Sequence, residues 1–158
     1  MIEKTLAIII VAVIAVAVFI PGCGGGSEDE DGGENIIPIH LNNADGVGAL
    51  HIEVVYDSSI IEVADVALGS LGENGQLDYE VESGRVIIGF IDAMGMSGSG
   101  AVVEIEFTQN SDGKSSLSLE NVVANDAETL YDLVVQTSAG SLDTDNDTST
   151  APVITIGS

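Results

Sequence analysis

Residues 48–63 read GALHIEVVYDSSIIEV, and the apolar side chains fall on alternate positions. Leu50, Ile52, Val54 and Tyr56 share one side of an extended chain, with Ala49, His51, Glu53 and Val55 on the other, the period-2 pattern of a strand with one buried face. Each large apolar side chain gains about 1.5–3 kcal/mol on leaving water, so the first set faces a core. The pattern recurs down the chain. It predicts strands over 36–41, 47–57, 60–68, 77–82, 85–92, 101–109 and 130–137, with KSSLSLENV from Lys114 as another. Turn residues separate them: Asn42 to Gly46, the Ser83-Gly84 pair of a hairpin, the small-residue stretch AMGMSGSG, and Asn110 to Gly113. No segment keeps a 3.6-residue apolar period over three turns; 124–131 would support one or two helical turns at most. Short strands about 8–12 residues apart predict an all-β domain, a sandwich or a jelly roll.

The first thirty-five residues obey a different rule. An unbroken apolar run covers 6–20 and stops at Pro21, short of the about twenty residues a membrane span needs. Ile20-Pro21-Gly22-Cys23 then resembles the lipobox of bacterial lipoproteins, in which the cysteine becomes the lipidated first residue of the mature protein. Proline is an uncommon occupant of its position there, and Glu3 offsets Lys4 in the leading segment. An uncleaved N-terminal anchor helix and a pilin-like packing leader are the competing readings. All three put the remainder of the chain on the extracellular face of a membrane. GGGSEDEDGGEN, over 24–35, has no apolar residue and reads as a flexible, self-repelling tether. The expected organisation is a signal peptide or anchor over 1–22, the lipidation candidate Cys23 and tether over 23–35, a folded domain over 36–144, and a linker with a further strand over 145–158.

Charge narrows the partners. Asp and Glu number 26 against three Lys and Arg, for a formal net charge of -23. Such a surface repels phosphates, which excludes nucleic acid and leaves a neutral or basic partner, or one bridged by cations. Cys23 is the one cysteine, so no intramolecular disulfide forms. Asp143, Asp145 and Asp147 are spaced like the start of a calcium loop, but Thr148 occupies the place of its glycine and Ile154 that of its closing glutamate, so an acidic linker is the reading taken. No catalytic constellation appears, so neither an enzyme nor a cofactor is expected.

Tyr56-Asp57 with Ile60-Ile61-Glu62-Val63, then GSGAVVEIEFT over 98–108, SSLSLENV over 115–122 and TSAGSL over 137–142 succeed one another in an order that resembles the cohesin family. Gly100, Val102, Ile105 and Phe107 match that family's Gly-x-(Leu/Val)-x-x-Ile-x-Phe strand. The resemblance implies a jelly-roll β-sandwich of about eight to nine strands, a non-catalytic module that docks dockerin-bearing proteins through one flat sheet. Carried over position by position, the partner contacts fall on Ala49, His51 and Glu53 and on Ile88, Phe90 and Ala93. It also exposes a departure. Family members have a strand before the one that Ile37-Pro38-Ile39 resembles, and here only the acidic tether stands there. The segment 152–157, with Val153, Ile154, Thr155 and Ile156 behind Pro152, is expected to supply a strand in or beside that place. The alternative to protein docking is a carbohydrate-binding or adhesin module of the same fold, with polysaccharide as partner; the absence of Trp argues against it. A subunit of a surface filament is a third reading.

Overall fold

The computed structural model describes residues 35–157, so the apolar run, Cys23 and all of the tether but Asn35 lie outside it. The described residues form nine strands and no helix: β1 (Asn35–Val55), β2 (Ile61–Leu68), β3 (Gln76–Glu82), β4 (Arg85–Gln109), β5 (Lys114–Asp126), β6 (Val134–Ser138), β7 (Gly140–Asp143), β8 (Thr148–Thr150) and β9 (Val153–Gly157). The protein is all-β, as the alternation predicts, and a jelly roll, as the resemblance implies. Among these residues no helix is long and apolar enough to cross a membrane.

Two strands are longer than the pattern suggests. β1 joins the runs expected over 36–41 and 47–57, and β4 joins those expected over 85–92 and 101–109. The residues between them are turn formers, yet the chain bends there without reversing. Asn43 (φ 56°) and Gly46 (φ 71°) in β1 lie opposite Gly95 (φ 76°) and Gly98 (φ 108°) in β4, and the register slips repeatedly between Leu41 and Ala49. Bulges of this kind sharpen strand twist and turn a sheet corner.

Because of that bend, both strands serve two sheets. The first half of β1 pairs with the second half of β4, Ile37 opposite Ile105 and Ile39 opposite Val103, with β2 outside β4. The second half of β1 pairs with the first half of β4, Ile52 opposite Ile88 and Val54 opposite Val86, flanked by β5 and β3. Between the layers lie the fully buried Ile39, Leu41, Ile52, Ile88, Phe90, Ile105, Phe107, Leu117, Leu142 and Ile154.

The C-terminal strand is an inner one. β9 runs parallel to β1, with His40, Leu41 and Asn42 opposite Val153, Ile154 and Thr155, and antiparallel to β6 on its other side. The His40 amide donates to the Pro152 carbonyl at 3.1 Å, and Ile154 is completely buried. Residues 144–147 make the turn of the β7–β8 hairpin, so the folded chain continues beyond the boundary expected at 144. The calcium-like acids sit in that turn, where the Asp143 carboxylate accepts from the amides of Asp145 and Asn146, both at 3.2 Å. The run expected over 130–137 starts later, at Val134, and residues 127–133 form a loop that opens with a single helical turn, the Leu130 amide donating to the Asp126 carbonyl at 3.0 Å.

Candidate functional site

The sheet β3-β4-β1-β5 presents one face to solvent, and strand parity decides which side chains it carries. On β1 the outward positions are Ala49, His51, Glu53 and Val55, since Leu50, Ile52 and Val54 are buried. Register extends this set across the sheet in rows. Gln76, Ile91, Ala49 and Asn125 make one row; Asp78, Gly89, His51 and Val123 the next. Glu80, Ile87, Glu53 and Glu120 form the third, and Glu82, Arg85, Val55 and Ser118 the fourth. The centre is apolar or small, with Ile91 56% and Val123 43% exposed. The β3 margin is acidic.

Two of the expected contact residues are not on this face. Ile88 (0% exposed) and Phe90 (1%) belong to the core, and the outward residues of that strand are Ile87, Gly89 and Ile91. The physical reason is that VIIGFI is apolar on both alternating sets, so hydrophobicity alone leaves its parity open. Arg85 held the missing signal: a charged residue at the start of the strand faces water, and counting by twos from it gives Ile87, Gly89 and Ile91. The register of the Ser83-Gly84 hairpin says the same, since it sets Gly89 opposite Asp78 and Ile87 opposite Glu80. Ala49, His51 and Glu53 stand on the face as expected, and Ala93 is exposed two residues beyond Ile91 along β4.

Charge on the face is arranged around one cation. Arg85 places Nη1 at 3.4 Å from Glu53 Oε2 and Nη2 at 3.9 Å from Glu120, while His51 Nε2 lies 3.6 Å from the other oxygen of Glu53. Glu53 is the most enclosed of these groups, its side chain 12% exposed, and its Oε2 has no hydrogen-bond donor among the described residues. Beside this cluster, where Gly89 has no side chain, lies a shallow depression of about 340 Å³, lined among others by Ala49, His51, Asp78, Gly89, Ile91 and Asn125.

At the end of the first row, Asn125 bridges to Asp132 and carries the sheet into the loop 127–133. This loop is clamped by Asp126, whose Oδ1 accepts from the Glu128 amide and from the amide and hydroxyl of Thr129. It holds Leu130 and Tyr131 outward, 75% and 76% exposed, with Leu130 in the left-handed region at φ 61°. The apolar pattern assigns these two residues to a strand, and the loop is the correction. Among the described residues no group of three or more His, Cys, Asp or Glu has a metal-holding arrangement.

The cohesin domain profile matches residues 25–158. The chain belongs to the cohesin domain family. No curated protein matches it. Among solved structures it is similar to a non-cellulosomal cohesin from the hyperthermophilic archaeon Archaeoglobus fulgidus, at 22% identity and a TM-score of 0.52, covering 77% of this chain and 89% of that one. A type I cohesin–dockerin complex from Clostridium thermocellum matches at 13% identity and TM-score 0.52, covering 82% and 99%. The seventh ScaB type I cohesin from Pseudobacteroides cellulosolvens matches at 20% identity and TM-score 0.52, covering 79% and 82%.

The motif residues of this cohesin are structural. Tyr56 is buried and meets Phe107 edge-on, ring centroids 5.6 Å apart at 71°. Asp57 turns the chain, its carboxylate accepting from the Ser59 amide and hydroxyl, and Ile61 enters the core. These residues make the corner after β1, which is why they report the fold and say little about a partner. The family is one of non-catalytic binding modules.

Proposed function

We propose that this cohesin docks a dockerin-bearing protein through the outward face of β3-β4-β1-β5, and that it does so on the extracellular side of a membrane to which Cys23 attaches it. The observation that carries the docking reading is the face itself: a four-strand surface that presents Ile87, Ile91, Ala49 and Val123 to solvent, with the Arg85–Glu53–His51 cluster beside them and acids along its β3 margin. Binding surfaces combine apolar contacts with a polar rim. The lipobox-like IPGC and the acidic tether support the location. A polysaccharide platform would use flat rings, and the only ring among the outward residues of these four rows is the imidazole of His51.

Paired aspartate substitutions test the reading against dockerin-bearing proteins encoded with this chain. Ile91→Asp puts a charge at the centre of the face and is expected to weaken capture by about 100-fold or more with the fold intact. Ile88→Asp, on the core side of the same strand, buries the charge and is expected to unfold the domain. Capture unaffected by Ile91→Asp would refute docking at this face.

A further inference from the structure

The face has an empty place near its centre and acids along its margin. Gly89 is an interior strand residue, and its φ is not among the positive ones, so no backbone conformation demands glycine there. A Cβ added to it would meet only the Asp78 carbonyl, at 3.9 Å, an ordinary contact. Glycine in a strand interior weakens the strand, and close approach of another chain is one of the few reasons to keep it. The depression above it is bordered by Ala49, His51 and Ile91 and by the polar Gln76, Asp78 and Asn125, while the side chains of Leu50, Leu77 and Phe90 beneath it face the core. At about 340 Å³ it has room for a large apolar side chain against Ala49 and Ile91. Asp78 borders it, Glu80 on β3 and Glu120 on β5 lie in the next row, and Glu82 in the row after. Arg85, the one Lys or Arg in these four rows, is already held between Glu53 and Glu120. A partner's carboxylates therefore find no free cation on this face, while its ammonium or guanidinium groups find several carboxylates.

Resting on the docking reading above, we infer that this cohesin selects a basic partner. A helix of the partner places one large apolar side chain in the socket over Gly89, and Lys or Arg residues beside it meet Asp78, Glu80 and Glu120. The apolar contact anchors the complex. The charges choose among partners and speed encounter, as rim charges generally do.

The test uses the full chain and two classes of dockerin module, one with Lys or Arg and one with Asp or Glu beside the central apolar position of its contact helix. Binding is measured by titration calorimetry at low and high NaCl. The basic class is expected to bind and the acidic class not, with affinity falling about tenfold or more between about 0.05 and 0.5 M salt. Gly89→Leu, which fills the socket, is expected to weaken binding by about 100-fold while keeping the wild-type melting temperature, and Asp78→Lys with Glu80→Lys by about tenfold. Equal binding of both classes, or a Gly89→Leu chain that binds like wild type, overturns the inference; if Ile91→Asp still abolishes capture, docking at this face survives it. Binding by neither class overturns the docking reading and the inference with it.

Discussion

The strongest structural prediction concerns β9. Its Ile154 is completely buried and Ile156 is 8% exposed, and its backbone fills the space between β1 and β6. Replacing a buried isoleucine by alanine costs about 2–5 kcal/mol. For a folded body of this size each kcal/mol shifts Tm by about 4 °C, so Ile154→Ala is expected to lower Tm by about 8–20 °C. Thr155→Ala, on the opposite parity of the same strand, is expected to change stability by less than about 1 kcal/mol. Truncation after Thr150 removes both isoleucines, about 3–6 kcal/mol of burial, and leaves two unpaired strand edges. Against a typical total of about 5–15 kcal/mol, that is enough to erase most of the cooperative transition. Circular dichroism gives Tm, and amide exchange gives the local cost: the His40 amide, which donates to Pro152, loses its acceptor and its protection. A truncated chain with unchanged Tm and a protected His40 amide would show that β9 contributes nothing to the fold.

Three further outcomes are expected. Leu130→Gly removes a side chain from a left-handed backbone position where it gains no burial, so Tm should rise by a few degrees, by about 1 kcal/mol of relieved strain; a fall would mean that the leucine packs. Hydrogen bonds hold the carboxyls of Asp57 (from the Ser59 hydroxyl and amide), Asp126 (from the Thr129 hydroxyl and amide) and Asp143 (from the Asn146 side chain) below the ordinary value of 3.8. Their folded values being depressed, their contribution is present above 3.8 and lost as pH falls below it, so wild type should lose more urea stability between about pH 5 and pH 3 than the triple Asp→Asn variant, and parallel acid slopes would exclude the effect. Cys23→Ser should abolish palmitate labelling and leave the chain unprocessed, whereas a wild-type chain that carries no lipid and keeps Met1 would remove the lipoprotein reading.

Legibility depends on how one-sided each segment is. In 49–56 the apolar set opposes Ala49, His51 and Glu53, so parity, burial and the outward residues can all be read directly. In 86–91 both sets are apolar, and Ile88 and Phe90 can be placed only by counting from Arg85 or across the hairpin. Asn43, Gly46, Gly95 and Gly98 announce positive φ, but the same conformation serves a chain reversal and a bulged bend. Which of the two occurs depends on partners far away in sequence. The β7–β8 hairpin is hidden for a related reason: TST is too short to show a period, and the acids before it resemble a linker until Asp143 is seen closing the turn. Gly89 is the hardest case, because the absence of a side chain becomes visible only when its neighbours are placed.

The corner that bends β1 and β4 together also sets how the molecule bears load. Tension arriving through residue 34 enters at Asn35 and runs along β1, whose first half is laddered to β4 and β9 and whose second half is laddered to β4 and β5. Backbone hydrogen bonds lie across the strand direction, so a pull along β1 strains many of them at once and cannot open them one by one. The same strand carries Ala49, His51 and Glu53, so a partner seated there would pull on the other end of the element that takes the strain. Were the chain anchored and docked as proposed above, a tug between surface and cargo would be resisted in shear by one doubly flanked strand.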